Sequence, residues 1–389
     1  MIAKIKTPIF FALLAFWSIA SQSCKPKDSN GVQPDNSAKT TPYVFNYVFP
    51  DNLSPVSLHI PVDNPMTVEG ISLGRMLFYD STLSKNNKLA CAGCHYQGFG
   101  FTDRGRQFSR GVDDSIGNRN AMALFNIPWE RGGFFWDGRA PILDSQIVGP
   151  VPNVKEMHLP WSDALTKLNA SPLKYPDLYK KAFGSSTITK ENTVKAIAQF
   201  LRTIMSFHAR YDSVKAGMAN FTASEARGEQ LFNSDPAPNT DTQNHIVPLG
   251  HRLPNTGLDC FHCHAPPLFI PETAIPDNGV LLNDGVGTIN IKVPSLRNLA
   301  FTAPYMHDGS MPNLDSVIAH YDHEIDPNNP YLSGRMYAVL YTNPNSSSQL
   351  VTPHMELTKQ EIIDLKAFLN TLNDYSLLTN KDYSSPFHH

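Results

Sequence analysis

A chain of 389 residues is long enough for two or three domains, each able to bury a core of its own. Its formal net charge of -3 leaves no basic footprint, which excludes nucleic acid as an expected partner. Charged residues make up only 17% while prolines number 31, so long irregular connections of the kind that wrap a bulky group are expected between the helices.

Residues 1–23 read as an export signal. Lys4 and Lys6 precede an apolar run from Ile9 to Ala20, the length of a signal-peptide core and too short to span a bilayer. Cys24 then follows Ala20-Ser21-Gln22-Ser23, where a bacterial lipoprotein signal would be cut, although those residues depart from the usual Leu-Ala-Gly type. The alternative is an ordinary cleavage site with an incidental cysteine. Lipidation is favoured, because Cys24 is the one cysteine outside the two motifs described below and an unpaired exported thiol is unusual. Lipid chains there would tether a soluble body to a membrane surface in the periplasm or cell envelope. Residues 24–42 are polar and cannot bury enough surface to fold, which makes them a spacer.

From Tyr43 the apolar content rises, and Gly70 to Phe78 has the 3.6-residue spacing of a helix that ends before Asp80. A loop then delivers Cys91-Ala92-Gly93-Cys94-His95. Two cysteines three residues apart present both thiols on one side of a short turn, ready to form thioethers with the two vinyl groups of one haem, and the adjacent histidine reaches the iron. The arrangement recurs at Cys260-Phe261-His262-Cys263-His264. In a chain with 5 Cys and 14 His, chance would yield about 0.002 such pentapeptides, so two covalently attached haem c groups are expected. A redox disulfide or half of a zinc site is the alternative for each Cys-x-x-Cys, but neither requires a histidine directly after the second cysteine.

Between the motifs, Thr189 caps a helix whose apolar face is Val194, Ile197, Ala198, Leu201, Ile204 and Met205; Met205 and His208 read as core and rim rather than as ligands. Thr222-Ala223-Ser224-Glu225 is a capping box, and Gly228 to Phe232 repeats the Gly-x-x-Leu-Phe of Gly74 to Phe78 ahead of the second motif, with a longer loop from 233 to 259. Thr358 to Glu361 is a further capping box that opens Ile362, Ile363, Leu365, Phe368, Leu369 and Leu372. The expected class is mainly α, with two cytochrome-c-like haem domains at 43–215 and 216–389, long irregular connections and no sheet beyond short hairpins. His388 and His389 read as a flexible tail.

The motifs taken together resemble the bacterial di-haem cytochrome c peroxidase family, which includes the MauG-type proteins. The resemblance rests on the two haem motifs, Phe135-Trp136-Asp137-Gly138-Arg139-Ala140, Gln146 with Gly149-Pro150, Glu156-Met157-His158, and Leu299 through Gly309, in order from about Gly70 to Leu372. It implies that the haem held by His95 is the peroxide site and the haem held by His264 an electron relay. Glu156 would move protons, Gln146 would hold the bound oxygens, and Trp136 would relay electrons, although Glu156 could also be a solvated loop residue and Trp136 a packing aromatic. The resemblance further implies hydrogen peroxide as substrate, a small cytochrome or cupredoxin-like protein as donor, a homodimer as a common family state, and a calcium ion held by the Asn120 side chain with the Thr302 and Pro304 carbonyls.

Two positions distinguish this chain within the family. Many members carry a histidine in the loop after the first motif that blocks the peroxide iron until the other haem is reduced, yet residues 96–120 contain none, so an iron open at rest is expected. Tyr321 stands where cytochrome c peroxidases place the methionine that is sixth ligand of the relay haem, as in MauG-type members, and a phenolate lowers the potential relative to methionine. Met306, Met311, Met336 and Met355 remain alternative ligands. An oxidase of aromatic residues on a partner protein, or a non-enzymatic di-haem electron carrier, are the alternative functions.

Overall fold

The structure, a computed structural model, describes residues 40–45, 58–237, 252–271, 281–282, 287, 290–326, 328–333 and 355–387. The expected signal, Cys24, nearly all of the spacer, Met336 and the terminal histidines lie outside the described residues. No helix among the described residues is long and apolar enough to cross a membrane.

Helix α1 (Val68–Tyr79) begins where the Thr67 hydroxyl accepts from the Gly70 N–H, and ends where Asp80 turns extended and its carboxylate caps the next short turn through Thr82. Its apolar stripe of Leu73, Leu77 and Phe78 is buried. The Cys91–Cys94 turn (α2) is followed by α3 (Leu143–Val148), α4 (Trp161–Ala170), α5 (Tyr175–Phe183) and α6 (Lys190–Leu201), with Thr189 capping α6 as its sequence suggested. α6 stops at Leu201, so Ile204 and Met205 lie beyond the helix, yet both are buried, and the His208 side chain is exposed. α7 (Arg210–Lys215), α8 (Ala223–Asn233), α9 (Leu314–Ala319) and α10 (Lys359–Asn370) follow. Strand content among the described residues is a two-residue antiparallel pair, β1 (Leu281–Leu282) with β2 (Ile291–Lys292).

The repeated Gly-x-x-Leu-Phe is the seat of a repeated helix crossing. A Cβ on Gly74 would lie 1.9 Å from the Ala196 carbonyl oxygen and 3.0 Å from Phe200 Cβ, so α1 meets α6 with backbones in contact. A Cβ on Gly228 would lie 2.0 Å from the Asp364 carbonyl oxygen and 2.8 Å from Phe368 Cβ, which gives α8 and α10 the same crossing. The leucine and phenylalanine that follow each glycine are buried beside it. Gly74→Ala and Gly228→Ala are each expected to cost about 1–3 kcal/mol through overpacking against backbone that cannot yield. Chemical denaturation of the haem-loaded protein measures this, and a loss below about 0.5 kcal/mol, the range of ordinary surface changes, would show that the crossing opens freely.

Ser37–His389 pack as one compact unit, within which buried apolar residues gather in separate clusters. One surrounds α1 and α3 to α6, a second lies between α8 and α10, and a small third joins Trp129, Met205 and Phe207 to Leu268 and Ile270. The chain's last described stretch crosses back: Leu377 and Tyr383 belong to the first cluster. Arg75 donates to the Lys381 and Ser384 carbonyls at 2.6 Å each, the Tyr79 hydroxyl to the Tyr383 carbonyl at 2.6 Å, and Gln97 to the Leu377 and Asn380 carbonyls.

Candidate functional site

Each histidine of the paired motifs is presented by the same local construction. The Cys91–Cys94 turn ends with the His95 N–H on the Cys91 carbonyl at 3.0 Å, and the chain then loops until Phe101, at φ +62°, returns its carbonyl to His95 Nδ1 at 3.0 Å. The second copy runs through a turn at Cys260–His262, bonds the His264 N–H to the Cys260 carbonyl at 2.9 Å, and sets His264 Nδ1 against the Phe269 and Pro294 carbonyls at 3.3 and 3.1 Å, with Phe269 at φ +57°. Burial pushes His95 below its ordinary value and His264 down to about 4, so both rings are neutral. A neutral ring that donates from Nδ1 to a carbonyl leaves its Nε2 lone pair free for a metal.

The thiols fit covalent attachment. Burial pushes Cys91 and Cys260 up to about 12 and Cys94 up to about 11, conditions that disfavour a thiolate and suit an uncharged thioether. Beside the second motif lies a cavity of about 680 Å³, lined by Cys260, Cys263 and His264 with Leu365, Leu369 and Phe232. Its size and apolar walls match a site for a large cofactor.

Tyr321 lines that cavity from a π turn, His320–Glu324, a helical irregularity common at functional positions. Met355 and Met306 line it too, so the structure brings both phenol and thioether ligands to the cavity, while Met311 is engaged in a backbone bridge with Tyr305. Asp322 orders the neighbouring strand of chain by accepting from the Met355 and Leu357 N–H groups. Trp136 reaches the same cavity, buried, with its indole N–H on the Asn120 carbonyl at 2.8 Å. Asn120, Thr302 and Pro304 also line it, and the Asn120 amide nitrogen donates to the Arg106 and Gln107 carbonyls.

Glu156 belongs to the first motif. It sits half-buried on a turn tied to the preceding loop by the Val112 N–H on its carbonyl at 2.8 Å. Burial raises its carboxyl above the usual range, against an Asn153 amide donated to Oε1 at 2.6 Å and the charge of Arg139. In turn, its charge pushes the Cys91 and Cys94 thiols upward, which sets it near that motif. Gln146 is half-buried on α3, a helix anchored where the buried Arg202 meets Asp144 at 3.2 Å. No hydrogen bond joins Gln146 to Glu156.

Several contacts that shape this region were not foreseen from the sequence. Asp113 accepts from Lys85 at 3.0 Å and from His158, joining the turn that carries Glu156 to the loop at Gly111–Asp114. Arg139 stacks 3.7 Å from the Phe135 ring centroid, and the Phe135 ring tip lies 3.5 Å from the place of a Gly149 Cβ, close to Gln146. Apart from the Arg139–Phe135 stack, these pairings join residues well separated in the chain, and no local spacing announces them.

The family model described as di-haem cytochrome c peroxidase matches residues 68–220. The methylamine utilization protein MauG of Methylophilus methylotrophus is 30% identical over 281 residues, covering 69% of this chain and 77% of that protein. Cytochrome c551 peroxidase of Nitrosomonas europaea is 30% identical over 275 residues, covering 65% and 73%. Among solved structures, a MauG-like protein associated with microbial copper homeostasis has a TM-score of 0.69 at 31% identity, over 88% of this chain and 99% of its own. With a paired motif, a paired helix crossing and these relatives, the chain belongs to the di-haem cytochrome c peroxidase family: it is a peroxidase enzyme that takes two c-type haems.

Proposed function

We propose that this protein reduces hydrogen peroxide to water at a haem held by Cys91, Cys94 and His95, with electrons that enter from a small donor protein at a haem held by Cys260, Cys263, His264 and Tyr321. Bound haem would supply the redox-active iron that carries the electrons and polarises the peroxide bond. The observation that carries the reading is Glu156, a half-buried carboxylate with a raised proton affinity on the side of the first motif. Such a group takes a proton from one peroxide oxygen and returns it to the other as that oxygen departs. Gln146 orients the substrate by hydrogen bond, and Trp136 conducts electrons between the sites. Open access at His95 is supported by the lack of histidine in residues 96–120, and by the engagement of His158 with Asp113.

The reading includes a calcium ion at Asn120, Thr302 and Pro304, whose neutral oxygens suit a hard cation once the Asn120 amide is turned. It also includes export, with anchorage through a lipidated Cys24. A second reading, oxidation of aromatic residues on a partner protein, is favoured by Tyr321 at the ligand position and by the likeness to a MauG-like structure.

The test is the EPR and optical spectrum of the oxidised protein, followed by peroxide without prior reduction. One high-spin and one low-spin ferric signal, both changing on peroxide, are expected. Two low-spin signals indifferent to peroxide would overturn the reading. Tyr321→Met is expected to raise the potential of the low-spin haem, because thioether favours ferrous iron; an unchanged potential in a redox titration would assign the ligand to Met306 or Met355.

A further inference from the structure

Asp103 carries a buried carboxylate to which no hydrogen bond is made among the described residues. Its side chain is 1% exposed, and neither carboxylate oxygen accepts a hydrogen bond from the described residues. Arg106 Nη1 stands 3.5 Å away, on a half-exposed side chain. A buried carboxylate that accepts no hydrogen bond is destabilising and calls for a reason. The local chain puts it there by construction: Phe101 gives its carbonyl to His95, Thr102 pairs with Tyr96, and a tight turn bonds the Arg106 N–H to the Asp103 carbonyl at 2.9 Å. The carboxylate therefore lies near the first motif, where its charge acts on both Cys94 and His95.

The second motif lacks this feature. Two residues beyond the carbonyl that holds His264 the chain has Pro271, where the first copy has Asp103. The buried carboxylate near that motif, Asp259, is engaged by His262, and it acts on Cys260.

We propose that Asp103 is a positioning residue for redox chemistry: a fixed negative charge near His95 that stabilises the oxidised state of the first haem and sets its potential below what the ligand alone would give. No electron or proton passes through Asp103, and it acts through the His95 ligand and the buried surroundings it shares. Arg106 opposes it in part. The inference rests on haem attachment at Cys91, Cys94 and His95 and not on peroxide turnover.

The experiment is a potentiometric titration of the haem-loaded protein, following each haem by its own optical and EPR signal. Asp103→Asn is expected to shift the ferrous-to-ferric ratio of the first haem about tenfold or more toward ferrous, about 59 mV upward for one electron, with the second haem unmoved. Arg106→Gln, an exposed change that leaves the fold in place if Asp103→Asn does not, is expected to shift the same haem downward. An unmoved first haem in Arg106→Gln, or equal shifts of both haems in Asp103→Asn, would overturn the proposal. Loss of peroxide turnover with these opposite shifts intact would fall on the functional reading instead.

Discussion

Glu156→Gln should lower peroxide turnover by about 10²–10⁴-fold, the usual weight of a positioned acid–base group, while both haems stay attached. The amide keeps the shape of the side chain and the approach of Asn153, so the loss isolates the proton transfer. In the parent protein, burial lifts the Glu156 carboxyl above the usual range. As the group must be ionised to accept the first proton, turnover should fall on the acid side at a pH above about 4.3, where an unperturbed glutamate titrates. In Glu156→Gln that limb should vanish. Steady-state rates across pH with haem content measured in parallel decide it; near-parental turnover would remove Glu156 from proton transfer.

Arg252→Met should destabilise the fold by about 3–5 kcal/mol, the cost of stripping one partner from a buried ion pair. Arg252 is fully buried and donates to Glu361 Oε1 at 2.9 Å, to the Thr256 carbonyl at 2.8 Å and to the Met355 carbonyl. Glu361 is also buried, and it holds the Thr358 N–H in its capping box and the Asn255 N–H. Burial pushes its carboxyl up, but the two N–H donors and Arg252 outweigh this and leave it below its ordinary value. A carboxyl depressed in the fold stabilises above its unfolded pKa and loses that contribution as pH falls through the folded value. Arg252→Met removes part of that contribution, so its cost should be largest at neutral pH and shrink as pH falls through the folded value of Glu361. Denaturant titrations at neutral and acid pH measure both effects, and a loss below about 1 kcal/mol would mean that solvent reaches Glu361 readily. Since Met355 lines the cavity beside the second motif, the spectrum of the second haem should change as well.

Helices α1, α6, α8 and α10 were legible because their signals are local, whereas α3 to α5, α7 and α9 went unread. Thr189, Thr222 and Thr358 each accept from the backbone N–H three residues on, a relation that sequence spacing contains outright. The repeat was legible for the same reason, since Gly74 and Gly228 are each followed by Leu-Phe at the same spacing. The cysteine motifs named their chemistry, and the construction around His95 and His264 agrees with it. Other features depended on the fold. Asp103 looks like any loop aspartate until burial removes its water, and Arg252 finds Glu361 across 109 residues. Ile204 and Met205 were assigned to the helix by periodicity, yet α6 ends at Leu201, and packing against Trp129 and Phe207, not helical register, buries Met205. The return of residues 375–387 had no sequence signal, because Gln97 and Arg75 meet it through backbone carbonyls that any residue could provide.

That return has a consequence for how the molecule is made. A ribosome releases the segment with Leu377 and Tyr383 long after α1, to which it is joined by bonds spanning more than 300 positions, such as Arg75 to Ser384. The half synthesised first thus stays unfinished until that segment has emerged, and the search for those distant partners makes its completion slow. Through that interval the first cysteine pair stands in an incomplete core, more open to whatever delivers haem than the finished protein would allow.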